Sequence, residues 1–145
     1  MADPAVLDTS ACFAFLENEA GADEVERYLR EAQRGERLLH ASFVTLTELD
    51  YIITQEQGPD RARAALAKAK AWQITWHHSD ESLCAEAAAL KAAHKISFAD
   101  AFVAATAKRL GATLVHKDPE FTALSTVVKQ HALPPKGGAG VFPTP

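Results

Sequence analysis

Apolar residues fall along the chain in two alternating rhythms. Short apolar or β-branched runs predict strands at Ala5–Leu7, Arg37–Ala41, Gln73–His77 and Thr113–Val115. Between them, apolar residues recur at three- and four-residue spacing and predict helices. These are Ala11–Leu16, Asp23–Gln33 with Val25, Tyr28 and Leu29 inward, and a Ser42-capped helix to about Gln57. In the last of these Phe43, Leu46, Leu49 and Ile53 form the apolar stripe. Gly58-Pro59 breaks the chain before a helix at Arg61–Ala71, and Ser79 caps another through about Ala93. Ser97 caps the next, whose Phe98, Phe102, Val103, Thr106 and Leu110 share one face and which Gly111 stops. Asp118 caps a short helix opened by Pro119, and Thr126–Val128 predicts a last edge strand. Strands alternating with helices predict an α/β fold with a central parallel sheet flanked by helices.

The final stretch breaks both rhythms. Residues 133–145, LPPKGGAGVFPTP, hold four of the seven prolines and three of the seven glycines. Such a segment buries no core and is expected to be flexible or draped over the surface. The chain therefore divides into a single domain, 1–132, and a tail, 133–145.

Composition narrows the class. At 145 residues, 48% hydrophobic and 23% charged, the chain suits one globular domain. It has no long uncharged apolar run, which predicts no membrane span, and its N-terminus lacks the features of a signal peptide. A cytoplasmic protein is expected. Cys12 and Cys84 lie in apolar helical contexts and without metal-ligand spacing, so both are expected as reduced, buried thiols. The net charge of −4 argues against a large basic surface for nucleic acid.

That negative charge takes on meaning when four acids are placed. Asp8 ends the first strand, Glu48 and Asp100 lie early in helices, and Asp118 follows the fourth strand. Ligands bind at the carboxyl edge of a parallel sheet, and all four segments can deliver a side chain there. Each acid also has an ordinary role as a cap or a solvated surface residue. Clustered, they would repel one another unless a hard divalent cation compensated. Magnesium or manganese so held is suited to phosphodiester hydrolysis, by activating water and stabilising the leaving oxygen. Thr9 could hold a water at such a site through its hydroxyl. Lys117 adjoins Asp118 and is a candidate phosphate contact. Arg61, Arg63, Lys68 and Lys70 offer a basic helix face, and Trp76, His77 and His78 a stacking surface, although solvated and core roles are the commoner fates of such residues.

Three blocks carry a resemblance: VLDTSACFAFL at 6–16, VTLTELDYI at 44–52, and ISFADAFVAATAKRLGATLVHKDPEF at 96–121. In order and spacing the chain resembles PIN-domain ribonucleases, specifically VapC-type toxins of type II toxin–antitoxin systems. The resemblance implies a three-layer α/β/α domain and a magnesium- or manganese-dependent endoribonuclease. It implies Asp8, Glu48, Asp100 and Asp118 as the catalytic, metal-binding acids, an RNA substrate, a homodimer and a cognate antitoxin. The helices at 11–16 and 43–53 would line the antitoxin groove, and the alanine-rich helices the dimer interface. His116 departs from the family, which often carries threonine or serine there. It is either a strand-end solvent residue or a metal or phosphate contact. A non-catalytic binding module and another acid-cluster α/β phosphohydrolase stand as alternatives.

Overall fold

The computed structural model describes residues 1–135 and forms three layers around a five-stranded parallel sheet of order β3-β2-β1-β4-β5. The elements run β1 (Ala5–Leu7), α1 (Thr9–Leu16), α2 (Ala22–Gln33), β2 (Leu39–Ser42), α3 (Phe43–Gln57), α4 (Pro59–Lys70), β3 (Thr75–His77), α5 (Glu81–Ala93), α6 (Phe98–Leu110), β4 (Thr113–His116), a 3-10 helix (Pro119–Leu124) and β5 (Gln130–Ala132). The expected α/β class with a central parallel sheet is what the chain adopts. The tail expectation for 136–145 lies outside the described residues.

Strand alternation builds the two faces. Val6 of β1 and Leu114 of β4 point into a cluster with Leu83, Leu90, Val103, Phe121 and Leu124, under α5, α6 and the 3-10 helix. Their neighbours Ala5, Leu7 and Val115 point the other way, against Ala11, Cys12, Val25, Tyr28 and Leu49. A strand buried on both faces has no polar side to show, which is why β1 reads as an unbroken apolar run. In α6, Ala101, Ala104, Ala105 and Ala107 are all at most 2% exposed. Their small side chains let that helix lie close on the sheet.

The topology places the site. The chain leaves β1 toward β2 and β3, then crosses back so that β4 lies on the other side of β1. The crevice between the carboxyl ends of β1 and β4 is therefore the switch point of the sheet. A backbone bond from Asp8 N–H to the Val115 carbonyl, 3.0 Å, ties its two walls together.

Several local expectations are corrected. The last strand is Gln130–Ala132, not Thr126–Val128: Val127 and Val128 both donate to the Leu124 carbonyl and form a turn. β2 starts at Leu39, because the Arg37 guanidinium turns out to Glu31 and the Asp3 carbonyl. Asp80, not Ser79, caps α5, its carboxylate accepting from Leu83 N at 2.7 Å. Cys12 is buried, but Cys84 is exposed and within 3.2 Å of the Ser79 hydroxyl. Phe98 is 70% exposed instead of joining the apolar face of α6. Leu133, at the start of the predicted tail, is 4% exposed, and its N–H donates to the His116 carbonyl.

Phe121 and Phe98 make a matched pair for testing this packing. Phe121 is fully buried, so Phe121→Ala is expected to lower stability in urea denaturation by about 3–5 kcal/mol. Phe98→Ala removes an exposed ring and is expected to cost about 1 kcal/mol or less.

Candidate active site

The crevice gathers all four predicted acids, each placed by a helix start or a strand end. Asp8 caps α1 directly after β1, and Asp118 caps the 3-10 helix after β4. Asp100 sits in the first turn of α6, whose N-terminus Ser97 caps. Glu48 reaches in from the second turn of α3. Asp8 and Asp100 are only 3% and 7% exposed.

A fifth acid joins them. Carboxylate oxygens of Asp100, Asp118 and Glu120 lie within 4.8 Å of one another. Glu120 follows Asp118 by two residues, and one turn of 3-10 helix is enough to bring it alongside. Sequence reasoning missed Glu120; a D-x-E spacing at the start of a helix is the signal that would find it.

The carboxylates are held from outside the cluster, one oxygen at a time. Ser10 N–H and Ser10 hydroxyl both donate to Asp8 Oδ2. Thr9 hydroxyl donates to Glu48 Oε1 at 2.6 Å. Glu120 N–H donates to Asp118 Oδ1 at 2.9 Å, and Ser97 N–H to Glu120 Oε1 at 2.7 Å. Such anchoring fixes orientation without neutralising charge.

Two polar residues behind this layer were not singled out from the sequence. Thr45, fully buried, lies 2.9 Å from the Thr9 hydroxyl; since Thr9 spends its proton on Glu48, Thr45 donates to Thr9. Ser10 accepts from the Lys117 N–H at 2.9 Å and so joins α1 to the end of β4. Thr9 itself is engaged by Glu48 and Thr45, which gives its hydroxyl a carboxylate-holding role.

Lys117 and His116 have different positions from those expected. The Lys117 side chain is 5% exposed, and its ammonium donates to the Ala20 carbonyl at 2.8 Å and pairs with Glu19. It is thereby turned into the α1–α2 connection and not toward a phosphate. His116 is 4% exposed, not a solvent residue, and both its ring nitrogens are hydrogen-bonded, to Asp118 N–H and to Gln130. On α4, Arg63 pairs with Asp60 and Lys68 stacks over Phe15. Trp76 packs half-buried against the core.

The electrostatics follow from this packing. Burial pushes the Asp8 carboxyl up to about 6; the charges of Glu48 and Asp118 add to the rise, and the Ser10 hydrogen bonds oppose it. Asp100 is pushed well above the usual carboxylate range, first by burial, then by the Asp8 charge and by hydrogen bonding with Glu120 and Asp118. None of the five acids takes part in a salt bridge among the described residues. Oxygen-only donors, crowded and without a protein cation, fit a hard divalent ion such as magnesium or manganese.

The PIN domain family profile matches residues 5–126, a span that includes all five acids. No curated protein matches the chain significantly. Among solved structures, the chain is similar to DNA-bound VapBC from Salmonella typhimurium, with a TM-score of 0.72 at 18% identity, covering 90% of this chain and 98% of that one. It is also similar to VapBC2 from Rickettsia felis bound to a promoter DNA fragment, with TM-score 0.71, 16% identity, and coverage of 89% and 98%. The third is Mycobacterium tuberculosis VapC20, described as a sarcin–ricin loop cleaving toxin, with TM-score 0.69, 21% identity, and coverage of 90% and 99%. At these identities the likeness is one of fold.

The crowding of acids has a measurable signature in the metal-free protein. Asp100 binds its proton more tightly folded than unfolded, so its contribution to stability is present below the ordinary carboxylate range and is lost as pH rises. Asp100→Asn removes that loss. In EDTA at pH 8 the variant is expected to melt several degrees above wild type, and at pH 4 the two should coincide. Thermal melts across pH check this, and saturating manganese should stabilise the wild type selectively.

Proposed function

The chain belongs to the PIN-domain family, and we propose that it is a metal-dependent endoribonuclease acting as the toxin of a VapBC-type toxin–antitoxin pair in the cytoplasm. The observation that carries this reading is the grouping of Asp100, Asp118 and Glu120 at the switch point of the sheet, with Asp8 and Glu48 near enough for their charges to act on one another and no salt bridge to any of the five among the described residues.

Asp100, Asp118 and Glu120 would hold the cation on one side of the crevice, with Asp8 and Glu48 facing them. Bound there, magnesium or manganese supplies a Lewis acid for the phosphodiester and lowers the pKa of water at the reacting phosphorus. The chain's own work is positional. Ser10 and Thr9 each tie down one oxygen of Asp8 and Glu48, and Thr45 holds Thr9. Such preorganisation keeps the acids from relaxing apart when the site is charged. No protein nucleophile is required.

Two surfaces suit the proposed partners. A groove of about 510 Å3, lined by Ser10, Phe13, Glu17, Glu19, Ile52, Glu56 and Lys117, adjoins the Asp8 end of the site. An antitoxin segment seated there would block access to the crevice. Its walls come from α1 and α3, the helices expected to form it. On α5 and α6 an apolar groove of about 490 Å3, with exposed Phe98 at its edge, offers a face for the homodimer. Among the described residues no helix is long and apolar enough to cross a membrane.

Incubating the purified protein with total cellular RNA tests the activity. Discrete fragments with 5′-phosphate and 3′-hydroxyl ends are expected with magnesium or manganese and none with EDTA. Asp8→Asn and Asp100→Asn should each cut at least about 100-fold more slowly, the scale of losing a group that stabilises developing charge. Cleavage that persists in EDTA, or at wild-type rate in either variant, would reject the proposal.

A further inference from the structure

The turn that carries Asp118 and Glu120 is held by a chain of hydrogen bonds running in one direction. The Asp118 N–H donates to His116 Nδ1 at 3.1 Å. At the other end, Gln130 Nε2 donates to the Phe121 carbonyl at 2.7 Å. A backbone N–H can only donate and a backbone carbonyl can only accept, so the groups between them have no choice of direction. Gln130 must turn Oε1 toward His116 Nε2, 2.8 Å away, and Nε2 must carry the ring hydrogen. The imidazole is therefore the neutral Nε2–H tautomer, with both nitrogens committed. It has no lone pair left for a cation.

Packing reinforces the arrangement. The His116 ring is 4% exposed and lies 4.9 Å from the Phe121 ring. Its carbonyl accepts from Leu133 N–H at 2.7 Å. One residue thus connects β4, the acidic turn and β5. The same turn supplies Asp118 Oδ1 as acceptor for Glu120 N–H, so the two carboxylates are oriented together. A hydroxyl on a shorter side chain at 116 could serve the Asp118 N–H but would not span to Gln130.

We propose that His116, backed by Gln130, is a positioning residue for the cation site: it fixes the Asp118–Glu120 turn so that these carboxylates and Asp100 face a common point. This rests on the reading of the acid cluster as a divalent-cation site. The role differs from that of a ligand, and also from that of a residue that merely fills the core.

Manganese binding to the metal-free protein, measured by calorimetry, separates these roles. Groups that orient ligands typically carry 10–100-fold of metal affinity. His116→Leu keeps an apolar body without an acceptor and is expected to weaken manganese binding at least about 10-fold. His116→Asn restores an acceptor near the Nδ1 position and is expected to stay within about threefold of wild type, a rescue that core filling would not produce. Gln130→Leu, at a half-buried site, breaks only the far end and should fall between the two. It also provides the reading if His116→Leu does not fold. Wild-type affinity in His116→Leu or in Gln130→Leu, or equal losses in His116→Leu and His116→Asn, would overturn the proposal. Failure of the wild type to bind manganese would overturn the acid-site reading itself, and the positioning role with it.

Discussion

The enclosure of two carboxylates, Asp8 and Asp100, beside three further acids is the constraint around which this molecule is arranged. Five acids meet at one end of the sheet, two of them nearly inaccessible to water. Burial penalises the Asp8 and Asp100 charges, and the neighbouring acids add to the penalty. Left to themselves, such side chains would rotate toward solvent. The hydrogen bonds around them prevent this: Ser10 on Asp8, Thr9 on Glu48, the Glu120 N–H on Asp118 and the Ser97 N–H on Glu120. The site therefore holds unfavourable electrostatics, which a divalent cation of the kind proposed would relieve.

The fold makes this convergence possible with few residues. β1 and β4 are three and four residues long, yet they lie side by side at the switch point, and each hands the chain to a helix at once. Asp8 and Asp118 thus serve as caps and as members of the acidic group together. Glu48 and Asp100 arrive from α3 and α6, which start at the same edge because each follows a strand or a short connection there. α6 can come close enough to deliver Asp100 because its inner face is almost entirely alanine.

What was legible in the sequence was the local part of this design. Strand ends, helix caps and an acid in the first turn are decided within a few residues, so Asp8, Asp100 and Asp118 could be placed before any contact was known. The supporting shell is non-local. Ser10 meets Lys117 across 107 residues of chain, and Thr9 meets Thr45 across 36. No periodicity marks such pairs. Gln130 was hidden for a related reason: the β-branched run before it looked more strand-like, but Val128 is used to bury a turn against the core, which delays the strand by a few residues. Phe98 shows the converse, since a helical spacing that predicts burial does not tell which side of the stripe meets the sheet.

If the acids converge to hold a divalent ion, that ion can be located in a crystal. The most direct measurement is a crystal of the purified protein soaked in manganese, with data collected to locate the metal by its anomalous scattering. A peak bounded by Asp100, Asp118 and Glu120, with Asp8 and Glu48 facing it, is the predicted result. A map without a peak in this crevice under saturating manganese, or with the metal bound only elsewhere, would contradict the account.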